Sequence, residues 1–84
     1  MEFTLDKFNG IIINPATVTY NVDSFHAELN KITEFSKQNN KGIIWISLPI
    51  ALSHLIPVAT ELGFVFHNCL EDEITLIHKS EIVE

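Results

Sequence analysis

The stretch 42–52, GIIWISLPIAL, contains the most apolar run of the chain and decides the fold. Every residue from Ile43 to Leu48 is apolar except Ser47, and Pro49 follows. A short apolar run of this kind is typical of a central strand that is buried on both faces of a sheet. It is too short to cross a bilayer and contains a proline. The run therefore predicts the middle of a sheet, ending at Pro49.

A helix is predicted before this strand. Its apolar residues recur at spacings of four, three and three, which is typical of one buried helical face. Asp23 or Ser24 is expected as the N-cap, because a side-chain oxygen there can accept a backbone N–H of the first turn. The helix should end near Asn39-Asn40, with Gly42 just beyond. The apolar stripe consists of Phe25, Leu29, Ile32 and Phe35.

Further towards the N-terminus the sequence predicts a β-hairpin. Residues 3–8 and 11–13 are strand-like, and Asn9-Gly10 between them indicates a tight turn in which both residues adopt positive φ. Asn14-Pro15 should end or bend the second strand. Residues 16–20 are expected to be a short extended segment or a loop.

On the other side of the central strand, residues 53–62 are predicted to be helical, with Pro57 in the first turn and Gly63 as a left-handed C-cap. Strands are expected at 64–70 and 74–78, with a frayed tail after them. The order is therefore β-β-α-β-α-β-β. This order indicates a single α/β domain over residues 1–84, in which two helices pack on one small mixed sheet.

Charge and cysteine content exclude several classes of function. The net charge is −6, and the five basic residues are scattered lysines with no arginine. Nucleic-acid binding draws on clustered Lys and Arg, so neither nucleic acid nor an anionic membrane surface is an expected partner. The single cysteine cannot form an internal disulfide, which favours a reducing, cytoplasmic location. The first eight residues, MEFTLDKF, do not resemble a signal peptide.

Few residues of the chain suggest a metal site or a catalytic site. His67 and Cys69 lie two apart on a predicted strand, so they should share one face with Val65. A zinc site would need further ligands, such as His54 and His78, but no zinc-ligand spacing supports one. A Cys-His nucleophile pair is also poorly supported, because two side chains on one strand seldom supply the necessary geometry. The favoured interpretation is that these residues are ordinary packing or surface groups, and no metal is expected.

Other polar positions have simple structural interpretations. Ser53 beside His54 is expected to cap a helix and not to act as a nucleophile, because neighbouring helical residues diverge. The acidic segment 71–73 is expected to be a solvated turn. Trp45 should pack in the core. The three glycines are too far apart to form a phosphate-binding loop. From the residues alone, the chain is a small α/β domain without a recognisable active site.

The block 45–67 contains three segments that match a family pattern. They are Trp45-Ile46-Ser47-Leu48-Pro49-Ile50, Ser53-His54-Leu55-Ile56-Pro57 with Ala59, and Gly63-Phe64 with Phe66-His67. The block resembles the pre-Nudix domain, which precedes the catalytic domain in a subset of Nudix hydrolases. This subset includes plant ADP-ribose/NADH pyrophosphatases and an animal protein encoded antisense to a fibroblast growth factor. Weaker similarity extends to Asp6-Lys7-Phe8-Asn9-Gly10-Ile11, to Phe25 and Leu29, and to Ile74 and Leu76, so it covers about residues 6–77.

The chain departs from the family pattern at Asn68-Cys69, where His-Ala is usual, and at Lys79, where Trp is usual. It also lacks the Nudix box, whose carboxylates hold Mg²⁺ against a diphosphate. The resemblance therefore implies that this chain needs no cofactor, and Mg²⁺ is expected only for an attached Nudix domain. In that setting the full-length parent would be a hydrolase of nucleoside diphosphate-linked substrates.

The resemblance implies a fold similar to part of a GNAT acetyltransferase. It also implies a non-catalytic accessory module, or a free-standing relative, that serves dimerisation, gating or partner binding. The expected partners are a second copy or an attached Nudix domain. The alternatives are a small GNAT-like acyl-CoA-binding protein and a stand-alone acidic interaction module. The candidate interface or family-hallmark residues are Trp45, Pro49, Ser53, His54, Gly63, Phe64 and His67.

Overall fold

The computed structural model describes residues 1–7 and 9–79. Phe8, at the end of the first predicted strand, and residues 80–84 of the predicted frayed tail lie outside the described residues. Two short 3₁₀ helices accompany the main elements. The elements are β1 (Phe3–Leu5), β2 (Gly10–Ile13), a 3₁₀ helix (Pro15–Thr17), α1 (Val22–Gln38), β3 (Ile43–Pro49), a 3₁₀ helix (Ile50–Leu55), α2 (Ile56–Glu61), β4 (Val65–Cys69) and β5 (Glu73–Lys79).

The five strands form one mixed sheet in the order β1-β2-β3-β5-β4. The β2–β3 pair is parallel, with α1 as the crossover between the two strands, and the other three pairs are antiparallel. The predicted class, a small mixed sheet with two helices, is confirmed. The last strand of the described residues, β5, lies between β3 and β4.

The central strand β3 is buried on one face and not on both, which corrects the sequence prediction. Ile44, Ile46 and Leu48 are buried, whereas the alternating positions Ile43 and Trp45 are only half-buried. Both helices contribute to the core on the first face, and the second face carries neither. The apolar run could not reveal this one-sided burial, because Ile43 and Trp45 are apolar although no helix packs against them. The core consists of Ile11, Ile13, Phe25, Leu29, Ile32, Ile44, Ile46, Leu48, Leu55, Ala59, Phe64 and Leu76.

Helix α1 begins earlier than predicted. Its N-cap is Asn21, whose side-chain oxygen accepts the Ser24 backbone N–H at 2.9 Å. Asp23 and Ser24 are therefore inside the first turn, and neither is the cap. The predicted end is confirmed, since Asn39 is the C-cap and Asn40 adopts a left-handed φ of 53°. The apolar stripe is buried except at its last residue, where Phe35 is half-buried against the ring of Phe3.

The hairpin turn differs from the predicted two-residue form. Asn9 has the expected positive φ of 66°, but Gly10 is the first residue of β2 and is not left-handed. Asp6 donates its backbone N–H to the Gly10 carbonyl at 2.7 Å and accepts the Asn9 N–H at 3.1 Å, so the turn is longer. A Cβ on Gly10 would lie 3.1 Å from the Ile43 side chain, so close strand packing explains this glycine.

The segment predicted as one helix at 53–62 is divided. A 3₁₀ helix occupies Ile50–Leu55, and α2 follows from Ile56 to Glu61. Ser53 lies inside the 3₁₀ helix and caps nothing with its side chain, so that prediction was wrong. Pro57 does lie in the first turn of α2, where its missing N–H leaves one donor fewer to satisfy. Gly63 follows the helix with a φ of 97°, as predicted.

Candidate functional site: the uncovered face of the sheet

The face of the sheet opposite the helices is the candidate functional site, and we call it the outer face. Its positions follow from the strand register, because directly paired residues point to the same side of a sheet. They are Thr4, Ile12, Ile43, Trp45, Ser47, Pro49, Val65, His67, Asn68, Glu73, Thr75, Ile77 and Lys79.

An apolar row crosses four strands of the outer face. The register places Ile12 beside Trp45, Trp45 beside Ile77, and Ile77 beside Val65. Ile77 is only 6% exposed, although no helix covers this face, because its neighbours in the row shield it. Ile12 and Val65 at the two ends are 45% and 55% exposed. The row is therefore a continuous apolar strip that solvent reaches at both ends.

A second row beside this strip is polar but uncharged. The Ser47 and Thr75 hydroxyl oxygens lie 3.0 Å apart in a hydrogen bond, and Asn68 pairs with Thr75 on the next strand. The only charged residues at strand positions of this face are Glu73 and Lys79, at opposite ends of β5. In a chain of net charge −6, the outer face is thus a neutral surface.

The structure brings two of the predicted site residues together. The ring of His67 stands edge-on to the ring of Trp45, with centroids 4.8 Å apart and an interplanar angle of 88°. Such a T-shaped contact is a favourable packing geometry for aromatic rings. Trp45 is therefore not a core residue, as the sequence suggested, but half-buried on the outer face.

His67 and Cys69 do not share a face, contrary to the sequence prediction. A register shift between Phe66 and Asn68 inserts one extra residue into β4. Such a bulge breaks the alternation of side chains. Cys69 consequently pairs with Ile74 on the inner side, whereas His67 remains on the outer face. Cys69 is exposed, and its thiol points to the Leu70 carbonyl at 3.7 Å.

Pro49 also lies on the outer face, where it ends β3 opposite Glu73. The remaining predicted site residues lie elsewhere. His54 is exposed on the 3₁₀ helix beside Ser53, and its Nε2 lies 3.0 Å from the Tyr20 carbonyl oxygen, which ties this helix to the segment before α1. Gly63 and Phe64 are on the helical side of the sheet, where Phe64 is buried. These contacts are structural, so the seven residues do not form a single site.

Phe66 is 62% exposed. It pairs with Leu76 and so faces the helical side, but β4 is the edge of the sheet, where the core ends. The prediction of an exposed acidic turn at 71–73 is right for Glu71 and Asp72, whereas Glu73 is half-buried and begins β5. Backbone hydrogen bonds hold the turn, from the Leu70 N–H to the Glu73 carbonyl at 2.8 Å and from the Ile50 N–H to the Asp72 carbonyl at 2.9 Å.

Within residues 1–7 and 9–79 there is no group of three or more His, Cys, Asp or Glu side chains placed to hold a metal ion. None of the helices in these same ranges combines the length and apolarity that a membrane span requires.

His78 is a titratable residue, and the sequence did not indicate that its ring packs on the helical side of the sheet. It pairs with Ile44 on the helical side, and its ring packs against Phe64 with centroids 5.2 Å apart. The ring Nδ1 is buried and has no hydrogen-bond partner among the described residues. Desolvation lowers the pKa of His78 below its ordinary value, and the nearby positive charge of Lys37 lowers it further. The neutral ring is therefore favoured in the folded state.

This arrangement predicts a loss of stability in mild acid. Because the folded-state pKa of His78 is depressed, the unfolded chain takes up a proton first as the pH falls through about 6.5. The free energy of unfolding should therefore decline from that pH downwards, and it should be restored above it. Urea denaturation at successive pH values measures the slope. His78→Gln should flatten it, whereas His26→Gln, on the exposed side of α1, should not. Equal slopes in the two variants would contradict this account.

Known proteins with similar sequences identify the family of the chain. A family model described as the Nudix hydrolase domain, which covers the N-terminal pre-Nudix domain, matches residues 1–79. Over 84–90% of the chain, identity is 26% with Nudix hydrolase 8 and 31% with Nudix hydrolase 5 of Arabidopsis thaliana, and 28% with nucleoside diphosphate-linked moiety X motif 6 of Homo sapiens. The chain spans only 20–25% of the length of these relatives. Because the match covers nearly the whole chain, the chain belongs to this Nudix-associated N-terminal domain family.

Proposed function

We propose that the chain is a non-catalytic accessory module and that its outer face docks onto a Nudix catalytic domain. Of the three roles that the resemblance implies, the outer face favours partner binding over gating. The observation that carries the proposal is the neutral apolar strip from Ile12 through Trp45 to Val65, which neither helix covers. Apolar patches of this kind commonly mark interaction sites.

The relatives suggest which partner fits this face. These relatives are several times longer than the matched segment, and the two from Arabidopsis thaliana are named as Nudix hydrolases. A module of this kind would lie beside a catalytic domain on the same polypeptide. In that assembly Mg²⁺ and the substrate would belong to the catalytic domain. A reducing compartment such as the cytoplasm suits the exposed Cys69 thiol.

The acyl-CoA alternative is less well supported. In that role backbone N–H groups in a loop before a helix would receive the pyrophosphate. The segment from Asn14 to Asn21, between β2 and α1, contains no glycine. The Ser24 N–H in the first turn of α1 is already bonded to the Asn21 side chain. The acidic-module alternative is disfavoured at the outer face, because that face is neutral between its ends.

Binding to a separately purified catalytic domain tests the proposal. The region that follows the matched segment in Arabidopsis thaliana Nudix hydrolase 5 supplies the partner, and calorimetry supplies the dissociation constant. Ile12→Lys should weaken binding by at least about tenfold, because it places a charge in the apolar strip. Asn30→Lys is the matched control, since it adds the same charge on an exposed position of α1.

The binding results distinguish docking through the outer face from a general effect of an added charge. Saturable binding that Ile12→Lys abolishes and Asn30→Lys preserves supports the proposal. Equal effects of the two lysines, or no binding by the folded wild-type chain, overturns the docking role. The non-catalytic part is tested separately with ADP-ribose and NADH in the presence of Mg²⁺. Cleavage by the isolated chain at enzyme-like rates would refute it.

A further inference from the structure

We infer that Asn9 is a site of spontaneous deamidation, and that the reaction releases the β1–β2 turn from the end of α1. Asn9 is the only asparagine of the chain that is followed by glycine. In deamidation the backbone nitrogen of the next residue attacks the asparagine side chain, and glycine hinders this attack least because it has no Cβ. Asn9 is exposed on the turn, so the water that completes the reaction can reach it. The site is not part of the outer face, so the inference does not depend on the proposed function.

In the folded chain, Asn9 ties the turn to the segment that follows α1. Its side-chain Nδ2 donates to the Asn40 carbonyl oxygen at 2.6 Å, a bond between residues 31 apart in sequence. Its backbone carbonyl accepts the Gly42 N–H at 3.0 Å. Asn40 directly follows the C-cap of α1, and Gly42 directly precedes β3. The Asn9 amide therefore helps to hold the β1–β2 hairpin against the end of the crossover helix.

The reaction needs water and no other reagent. The Gly10 backbone nitrogen attacks the Asn9 Cγ atom and forms a new C–N bond. The bond from Cγ to the amide nitrogen breaks, and that nitrogen leaves as ammonia together with the proton of the Gly10 N–H. Water then opens the resulting succinimide ring at either of its carbonyls, which gives aspartate or isoaspartate. No group is oxidised or reduced, and the loss of ammonia makes the change one-way.

Both products lose the hydrogen bond to Asn40. A carboxylate has no N–H group, and both of its oxygens accept hydrogen bonds. An oxygen would therefore face the Asn40 carbonyl oxygen where the folded chain has a donor. The neighbouring Lys41 offsets part of the added negative charge, but position 9 no longer supplies a donor. In isoaspartate the main chain also runs through the former side chain, so the carbonyl that accepts the Gly42 N–H is displaced as well.

The same contacts limit the rate of the reaction in the folded chain. Asn9 is held at a φ of 66° by the bonds of its side chain and backbone, and its side chain must leave Asn40 before Gly10 can attack it. Exposed turns open locally at a smaller free-energy cost than global unfolding. The folded chain should therefore react more slowly than a free peptide of residues 5–13, but faster at Asn9 than at its other asparagines.

Peptide mapping by mass spectrometry tests the site, with the folded wild-type chain incubated at mildly alkaline pH. Conversion at position 9 should be well advanced before Asn30 or Asn68 changes, although both of these residues are exposed as well. The converted peptide should separate into two forms of equal mass, aspartate and isoaspartate. Asn9→Gln is the control, because glutamine would have to close a larger and less favourable ring, and it should stay unmodified.

Asn9→Asp carries one of the two products from the start and tests the release of the turn. It should lower the urea concentration at the midpoint of unfolding. It should also speed hydrogen exchange of the Gly42 amide, whose acceptor is Asn9, by about fivefold, the factor expected for the loss of one hydrogen bond. The Ile50 amide, bonded to Asp72 at the other end of β3, should change far less. Asn30→Asp makes the same replacement at an exposed position of α1 and should leave the midpoint and the Gly42 exchange unchanged.

Three results would overturn the inference. The first is conversion at position 9 that is no faster than at Asn30 or Asn68. The second is an Asn9→Asp variant that has the wild-type midpoint and the wild-type Gly42 exchange, which would show that the amide does not hold the turn. The third applies if Asn9→Asp does not fold. Deamidated wild type is then separated from the unreacted chain by ion exchange, and equal Gly42 exchange in the two forms would contradict the release.

Discussion

Phe25→Ala should lower the free energy of unfolding by about 3–5 kcal/mol, the range seen when a buried phenylalanine is truncated. The Phe25 ring is fully buried in the first turns of α1, within the single core cluster. A domain of 84 residues has only about 4–12 kcal/mol of stability in total. The variant should therefore be at the edge of unfolding at ordinary temperature.

Denaturation by urea, followed by helical circular dichroism and by Trp45 fluorescence, measures this loss. Val22→Ala is the matched control, because Val22 is on the same helix but is 44% exposed, and it should cost less than about 1 kcal/mol. Similar losses in the two variants would show that α1 does not depend on its buried stripe.

Gly63→Ala should have the second largest effect, a loss of about 1–3 kcal/mol. Gly63 adopts a φ of 97°, which residues with a Cβ rarely adopt. In addition, a Cβ there would lie 3.2 Å and 3.3 Å from two ring atoms of His78. Both the backbone conformation and the close contact therefore oppose the substitution.

A double-mutant cycle separates these two causes. His78→Ala removes the ring, so Gly63→Ala made in that background should cost only the backbone part. The difference between the two measured costs is the contribution of the contact, which we expect to be about 0.5 kcal/mol or more. If the cost is the same in both backgrounds, the contact contributes nothing and the positive φ accounts for the whole loss.

Much of the architecture could be predicted from periodicity and turn residues. The stripe of α1, the apolar run of β3 and the left-handed Gly63 depend on local spacing and on backbone φ, which a sequence reveals directly. The cap of α1 was misplaced, because Asn21, Asp23 and Ser24 are all good capping residues and only the tertiary structure selects among them.

The candidate site was less predictable for a physical reason. Trp45 and His67 meet across β5, which the sheet order places between their two strands. Strand order depends on contacts that are distant in sequence. The bulge that separates Cys69 from His67 is likewise invisible to a pattern that assumes strict alternation. The isoleucines of β3 look equally buried in the sequence, because apolarity alone does not show which face a helix covers.

The position of β5 has a consequence for how the protein folds during its synthesis on the ribosome. This strand is the last of the described residues, yet it joins β3 to β4 through most of the length of both. A nascent chain that ends before Glu73 leaves β4 without a neighbour and β3 with one free edge. The sheet can close only after β5 has emerged from the exit tunnel. Until then, strand pairing is restricted to β1, β2 and β3, with α1 as the crossover, and stable tertiary structure should appear in one step once β5 is available.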